Sequence, residues 1–148
     1  MDLGIGGRRA AVAAGSGGLG LGAAKALAAE GVHVAVCGRD PDRLSTAVAA
    51  LEQVAAGAVH GIQADVGTVA GASAFVSAAT ATLGGLDILV PNAGGPPPGT
   101  AIDVALEQYA GALELSLLST VAMCQAALPA MRAQSWGRIV AITSISVR

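Results

Sequence analysis

The chain has 148 residues, of which 53% are apolar and 12% charged, and its formal net charge is −2. High hydrophobicity with little charge excludes an intrinsically disordered chain. Eight basic residues against ten acidic ones exclude the basic surface that nucleic-acid binding requires. The length fits a single domain of common size.

Short β-branched runs alternate along the chain with longer alanine-rich segments. Strands are predicted at 9–14, 32–37, 59–63, 88–90 and 138–143. Helices are predicted at 21–30, 40–56, 68–83 and 104–134, the second opened by a side-chain cap at Asp40 and the last bent before Pro129. The alternation predicts an α/β fold, a doubly wound parallel sheet of about five strands with helices on both faces.

The cysteines and histidines of the chain indicate no metal site. Cys37 and Cys124 lie far apart in apolar runs, so both are expected to be buried, reduced thiols. His33 and His60 each fall within a predicted strand and are interpreted as structural. We therefore predict that the protein binds no metal ion.

A glycine-rich turn joins the first predicted strand to the first predicted helix. It reads Ala13-Ala14-Gly15-Ser16-Gly17-Gly18-Leu19-Gly20-Leu21-Gly22. The N-terminus of a helix offers unpaired N–H groups and the positive end of a dipole, which favour an anion. Glycines also let the backbone approach a pyrophosphate closely. In this strand–turn–helix context the turn predicts a nucleotide site.

The end of the second predicted strand reads Gly38-Arg39-Asp40 and bears on the choice of cofactor. An arginine here suits the 2′-phosphate of NADP, whereas a carboxylate suits the free ribose of NAD. Asp40 has a competing interpretation as the N-cap of the next helix, and Arg39 has one as a solvated surface charge. Arg39 favours NADP. NAD stays open as an alternative, because the glycine turn itself contains no second basic residue.

Several motifs together resemble the classical short-chain dehydrogenase/reductases. That family's order and spacing are found in the glycine turn, Arg39, Asp65-Val66, Asn92-Ala93-Gly94 and the strand at 137–146. Within the family, the sequence most resembles the 3-oxoacyl-carrier-protein reductases. The resemblance implies a Rossmann-type fold and a set of cofactor-binding residues. These are Ala14, Gly15, Ser16, Gly18, Leu19, Gly20, Arg39, Asp65, Val66, Asn92, Ala93 and Gly94, with Asp65 at the adenine ring.

Two positions depart from the family pattern at the cofactor site. Ala14 stands where the first glycine of the loop is usual, and alanine still leaves room for close backbone approach. Pro91 replaces the first Asn of an Asn-Asn-Ala-Gly element, which removes a side-chain amide and a backbone N–H. One hydrogen bond of the family must therefore be absent or replaced.

The resemblance also implies catalytic positions. The family's serine falls on Ser144, where a hydroxyl would hydrogen-bond a substrate carbonyl as negative charge develops on its oxygen. Thr143 and Ser146 are neighbours open to the same assignment, and a serine at a strand end is also a common turn residue. The family's tetrad Asn falls on Ser116, whose shorter side chain cannot reproduce the reach of an amide.

The family's proton donor, a Tyr with a Lys four positions later, has no counterpart in these residues. The chain contains one tyrosine, Tyr109, followed four positions later by Leu113, and its one lysine is Lys25. The 148 residues alone are therefore expected to be inactive. Either they are the N-terminal part of a longer enzyme, without its last strands, its Tyr/Lys helix and its substrate lid, or they are a natural short product that has lost the chemistry.

Three functions follow as hypotheses. The first is an NADP(H)-dependent oxidoreductase that transfers hydride between the nicotinamide and a small-molecule carbonyl or secondary alcohol, possible substrates including 3-oxoacyl compounds. The second is a non-catalytic nucleotide-binding or scaffold module. A methyltransferase-like nucleotide site is disfavoured, because Asn92-Ala93-Gly94 and Ser144 at this spacing would then be coincidence.

The long predicted helix at 104–134 is apolar on all sides. One side carries Leu106, Leu113, Leu117 and Val121, and another carries Leu115, Leu118, Ala122 and Ala126. Such a helix needs cover all round, and in the family it pairs across a dimer, so a homo-oligomer is expected. The uncharged stretches at 66–86 and 115–131 contain Ser, Thr and other polar residues and predict no membrane span. No leader segment is recognised, which favours the cytoplasm.

Overall fold

Five parallel strands form one sheet in the computed structural model, which describes residues 3–95, 98–99 and 102–143. The strands are β1 (Arg9–Val12), β2 (His33–Gly38), β3 (Val59–Gln63), β4 (Ile88–Val90) and β5 (Arg138–Ile139). Their order across the sheet is β3-β2-β1-β4-β5. β2 and β4 lie on either side of β1, and the chain reaches each of them by a crossover connection. The predicted doubly wound α/β sheet is therefore confirmed.

Helices connect these strands and cover both faces of the sheet. They are α1 (Gly18–Ala29), α2 (Pro41–Glu52), α3 (Val69–Leu83), α4 (Leu106–Leu113) and α5 (Ser119–Ala133). Asp40 caps α2 as predicted, since its Oδ1 accepts from the amides of Asp42 and Arg43 at 2.9 Å each. Gly84, with φ of 70°, ends α3 in the left-handed conformation that glycine adopts without strain.

The two faces of the sheet bury different layers. Ala35 and Cys37 of β2 face α3 and α5, where they join a cluster that contains Phe75 and Met123. The alternate residues Val34 and Val36 face α1 and α2, and pack with Leu44 and Leu51. Because β1 and β2 are buried on both faces, they read as continuous apolar runs in the sequence.

The edge of the sheet at which the strands begin is held by Asp87, which is 2% exposed. The Arg9 side chain bonds it through Nε at 2.7 Å and Nη2 at 3.1 Å, and the Arg9 amide bonds it at 2.9 Å. Burial alone would raise the pKa of Asp87, but the hydrogen bonds from Arg9 and the charges of Arg9 and Arg8 outweigh it and lower that pKa. Arg9 also donates to the carbonyl of Gly84 and to Gln134 Oε1, which joins the ends of α3 and α5 to β1.

The helix predicted at 104–134 is interrupted, which corrects the expectation of one continuous helix. A π-helical segment, Glu114–Leu118, separates α4 from α5, and the Ser119 amide donates to Glu114 O five residues back. Hydroxyl groups satisfy carbonyls there, because Ser119 Oγ donates to Leu115 O at 2.5 Å. Pro129 lies inside α5 on its exposed side, where the carbonyl it leaves unpaired can be hydrated.

α4 and α5 differ in how they contact the rest of the molecule. α5 packs against α3 and buries Ala122, Met123, Ala127 and Met131, whereas α4 buries no residue. The helical run Leu106–Ala133 is long and apolar enough to cross a membrane by length and composition, a test that core helices of soluble proteins also pass. Its exposed apolar residues are Leu106, Tyr109, Leu113, Leu117, Leu118, Val121 and Leu128.

Two strands end earlier than predicted. β1 stops at Val12, although the Ala13 amide still donates to Val90 O at 3.0 Å. Ala14 then adopts φ of 46°, which turns the chain out of the sheet. β5 covers only Arg138–Ile139, but the amides of Val140 and Ile142 continue its bonding to the β4 side.

Candidate functional site

A cavity of about 480 Å³ lies outside the carboxyl ends of β1, β2, β3 and β4. Parallel α/β sheets bind their ligands at this edge. All the predicted cofactor-binding residues line it except Gly15 and Gly20. The lining members are Ala14, Ser16, Gly18, Leu19, Arg39, Asp65, Val66, Asn92, Ala93 and Gly94.

The glycine loop forms the floor of this cavity at the beginning of α1. No side chain caps α1 at its first residue, Gly18, among the residues that the structure describes. A Cβ added to Gly18 would meet no atom within 4 Å, so the space above the loop is open. The positive end of the α1 dipole and the first amides of the helix therefore face a space that can hold an anion.

Gly15 and Gly20 shape the loop from behind the cavity. The Gly15 amide donates to the carbonyl of Cys37 at 2.9 Å, so it is used within the protein. A Cβ on Gly20 would overlap the carbonyl oxygen of Ala14 and come within 3.0 Å of Asn92 Nδ2. Only glycine at position 20 allows this close packing of α1 on the loop.

Ala14 has the backbone conformation for which glycine is better suited. Its φ of 46° lies in the left-handed region, where a residue with a Cβ is strained by roughly 1–2 kcal/mol. This explains physically why a glycine is usual at this place in the loop. The strain is not visible in the sequence, in which only the space that alanine leaves is apparent.

Asn92 connects the end of β4 to the loop. Its Nδ2 donates to the Ala13 carbonyl at 3.4 Å. The preceding Pro91 is buried, and its carbonyl accepts from the Ile142 amide at 3.3 Å. Asn92 therefore joins β4 to the end of β1, while Pro91 bonds toward the β5 side through its carbonyl alone.

Asp65 and Leu115 form the wall at the β3 side. Asp65 Oδ1 accepts from the Gly67 amide at 2.9 Å, which fixes the carboxylate at the mouth of the cavity. Leu115 reaches this wall from the π-helical segment, and its Cδ1 would lie 3.2 Å from a Cβ on Gly67. From the sequence, Leu115 is recognised only as part of an apolar helix side, because the apolar spacing carries no trace of the π turn that directs it here.

Two guanidinium groups line the cavity near the end of β2. Arg39 follows the strand, and Arg43 comes from the first turn of α2. Asp40 also lines the cavity, but its Oδ1 is engaged in capping α2. Arg43 is not among the cofactor-binding residues predicted from the sequence. The available signal was its spacing, four residues after Arg39 on a helix that Asp40 and Pro41 open.

Cys37 lies beneath the loop as a protonated thiol. Burial raises its pKa to about 12, although the bond that its Sγ accepts from the Ala14 amide at 3.4 Å acts in the opposite direction. Cys37 is fully buried and Cys124 half-buried, and both are free, as expected. In the described part of the chain no group of three or more His, Cys, Asp or Glu residues could hold a metal ion.

Of the two predicted catalytic positions, Ser116 and Ser144, the structure describes only Ser116. Ser116 is exposed in the π-helical segment and does not line the cavity, and its carbonyl accepts from Thr120 Oγ1 at 3.0 Å. Ser144 and Ser146 lie outside the described residues, and Thr143 is exposed. His33 is structural, since its Nδ1 accepts from the Ala58 amide at 2.9 Å.

This sheet order, with an uncapped glycine loop facing a cavity at the carboxyl edge, defines a nucleotide-binding protein of the Rossmann type. Residues 8–148 match the family model of the short chain dehydrogenases, and the chain belongs to that family. D-beta-hydroxybutyrate dehydrogenase of Cupriavidus necator is 34% identical over 141 residues, which are 95% of this chain and 54% of that protein. The chain therefore spans about half the length of this curated relative.

Solved structures agree with this assignment. L-sorbose reductase from Gluconobacter frateurii, complexed with NADPH and L-sorbose, matches with a TM-score of 0.91 and 35% identity, over 98% of this chain and 55% of that one. A short chain dehydrogenase from Burkholderia cenocepacia, in complex with NADP, matches with a TM-score of 0.85 and 32% identity, over 95% and 57%.

Proposed function

We propose that this chain supplies the cofactor-binding part of an NADP(H)-dependent oxidoreductase, which transfers hydride between the nicotinamide and a carbonyl or secondary alcohol. The observation that carries the proposal is the open space above the uncapped N-terminus of α1, bounded by the glycine loop. Amides at a helix N-terminus suit the linked phosphates of a dinucleotide. Membership of the short chain dehydrogenase family supports the reaction class.

NADP is proposed over NAD because of the charges at the end of β2. Arg39 offers a guanidinium group to a 2′-phosphate. Asp40, the carboxylate that would suit a free ribose, already accepts two amides of α2. The NADPH and NADP bound to the two solved relatives are consistent with this choice, and NAD stays the alternative.

The bound cofactor would supply or accept the hydride, and this chain's residues would bind and orient it. The amides of the loop from Ser16 to Gly20 would bind the pyrophosphate, and Asp65 and Leu115 would face the adenine. Asn92, Ala93 and Gly94 would line the region beyond the pyrophosphate. Ser144 is proposed to hydrogen-bond the substrate carbonyl, with Ser116 at the tetrad position of the family.

The substrate is proposed to be a small carbonyl compound or secondary alcohol, 3-oxoacyl compounds among them. The names of two relatives support this class, since hydroxybutyrate is a hydroxy acid and sorbose a ketose. A proton donor is also needed, and the Tyr-x-x-x-Lys pair is absent from these residues. We therefore expect the 148 residues alone to bind the cofactor without turnover.

Isothermal titration of NADPH and NADH tests the cofactor site. Leu19 is 71% exposed at the beginning of α1, so Leu19→Asp adds a negative charge there without disturbing the core. We expect Leu19→Asp to weaken both nucleotides, and the uncharged control Leu19→Asn to keep most of the affinity. A parent chain that bound neither nucleotide would refute the proposal.

A non-catalytic nucleotide-binding or scaffold module is the alternative, because binding a nucleotide needs only the glycine loop and the cavity. The two hypotheses differ in turnover. NADPH oxidation, followed by absorbance with 3-oxoacyl thioesters and simple ketones, is measured for the 148 residues and for the product of the complete reading frame. Turnover by the complete product supports the enzyme, and binding without turnover by both supports the module.

A second copy of this chain is the proposed partner, through the helical run Leu106–Ala133. α4 buries no residue, and Leu106 and Leu113 are 80% and 56% exposed. Exposed apolar area of this kind is typical of an oligomer interface. Sedimentation equilibrium should give a dimer or larger species, and a stable monomer would contradict this. We also propose a cytoplasmic protein without a membrane or nucleic-acid partner, in keeping with its net charge of −2.

A further inference from the structure

We propose that Arg43 binds the 2′-phosphate of the cofactor together with Arg39, and that α2 in this way supplies the second basic group that the glycine loop lacks. The inference rests on the proposed NADP(H) function and adds a residue that determines cofactor specificity. It follows from three observations: where the Arg43 guanidinium lies, how its backbone is held, and which bonds its side chain makes.

The Arg43 guanidinium lies directly beside the glycine loop. A Cβ added to Gly17 would be only 3.1 Å from Arg43 Nη2. The guanidinium therefore stands where a side chain at position 17 would begin. Arg43, Arg39 and Gly17 all line the same cavity, so both arginines face the space between the loop and the end of β2.

Gly17 leaves space for the guanidinium, and its backbone conformation does not itself call for glycine. Its φ is 179°, which is extended backbone that any residue adopts. An alanine at position 17 would therefore cause no backbone strain, but its Cβ would crowd Arg43 Nη2. A substitution at Gly17 thus tests the position of the guanidinium without changing its charge.

The backbone of Arg43 is fixed by the cap of α2. Its amide donates to Asp40 Oδ1 at 2.9 Å, and Pro41 begins the helix. Pro41 restricts φ at the start of the helix, and the cap bond holds the first turn. The backbone position from which the Arg43 side chain extends is thereby held on the side of α2 that faces the loop.

The Arg43 side chain has no hydrogen bond or ion pair to another residue in the described part of the chain. Arg9 differs, because its guanidinium is engaged with Asp87, Gly84 and Gln134. Arg8 lies over the ring of Trp136, 3.9 Å from its centroid. The donors of Arg43 are therefore available to a ligand in the cavity, and a planar guanidinium matches the oxygens of a phosphate.

The 2′-phosphate is the group that two arginines at this place would bind. The amides at the start of α1 would bind the pyrophosphate, whereas the ribose is expected near the end of β2, where Arg39 lies. Arg43 lies between these two points. Because NADH lacks the 2′-phosphate, the contribution of Arg43 should appear with NADPH and be nearly absent with NADH.

Isothermal titration of NADPH and NADH into the parent chain, Arg43→Gln, Arg43→Lys and Gly17→Ala tests the inference. We expect Arg43→Gln to raise the Kd for NADPH about tenfold or more, the effect of losing a charge-assisted hydrogen-bond pair. The Kd for NADH should change by less than about twofold. Arg43→Lys should restore part of the affinity, because it keeps the charge without the fork. Gly17→Ala should shift the guanidinium by a few tenths of an ångström and weaken NADPH by more than it weakens NADH.

Arg132→Gln is the control, since Arg132 is exposed in the last turn of α5 and lies outside this cavity. Circular dichroism melting of each variant verifies that it is folded. Equal weakening of both nucleotides by Arg43→Gln, or no weakening of NADPH, would overturn the role of Arg43 and leave the proposed function intact. A parent chain that binds neither nucleotide, or only NADH, would overturn both.

Discussion

Arg9 contacts both carboxylate oxygens of Asp87, through Nε at 2.7 Å and Nη2 at 3.1 Å, across the neighbouring strands β1 and β4. Asp87 is buried, so its charge depends on these bonds. We expect Asp87→Asn to lower the free energy of unfolding by roughly 2–3 kcal/mol, because the Arg9 guanidinium loses its counter-charge. Urea denaturation measures the change. The exposed Glu52→Gln is the control, and a loss no larger than that of the control would contradict the prediction.

The same pair predicts how stability depends on pH. The pKa of Asp87 is lowered by its arginine partners, so the folded protein holds the charged form more strongly than the unfolded chain does. The stabilisation is fully present above the unfolded pKa of about 4 and is lost as the pH falls toward the lower folded value. The difference in unfolding free energy between the parent and Asp87→Asn should therefore shrink below about pH 4. A difference that stayed constant down to pH 3 would contradict this.

Ala14 offers a stabilising substitution inside the loop. Because its φ is 46°, Ala14→Gly should relieve strain and raise the free energy of unfolding by up to about 1 kcal/mol. Ala13 is fully buried and has no such conformation, so Ala13→Gly should lower stability by about 1 kcal/mol. Thermal unfolding compares the two variants. Equal destabilisation by both would show that the conformation of Ala14 is not strained.

Cys37 should resist thiol reagents in the folded protein. Burial raises its pKa to about 12, so the reactive thiolate is scarce at pH 8, and its Sγ is covered by the loop. We expect a disulfide reagent to label Cys124 first and Cys37 only on unfolding, as measured by mass spectrometry of the peptides. The variant Cys124→Ala isolates Cys37, and rapid labelling of that variant in its native state would contradict the prediction.

Much of the fold was predictable because local signals agree with the tertiary structure. Asp40 and Pro41 begin α2 as their residue types indicate, and Gly84 ends α3. The buried strands read as apolar runs, since both their faces are covered. The π-helical segment was not predictable, because a helix that is apolar on all sides has no apolar stripe whose shift would reveal an extra residue in one turn.

Site residues that directly follow a strand could be predicted from the sequence. Site residues whose side chains reach the cavity from another helix were harder to predict. Most residues of the glycine loop line the cavity, as do Asn92, Ala93 and Gly94, because the two segments directly follow β1 and β4. Leu115 and Arg43 reach it only through the packing of their helices. The roles of Ser144 and Ser116 stay predictions.

The π-helical segment determines which way the two halves of the long helix face. Each α-helical residue advances the side-chain direction by about 100°, so one additional residue within a turn rotates everything before it by that angle relative to everything after it. The side of α4 that would continue the α5 contact with α3 is thereby rotated away, in keeping with an α4 that buries no residue. A single-residue deletion within Glu114–Leu118 would restore the α-helical phase and rotate α4 by about 100° about its axis relative to α5.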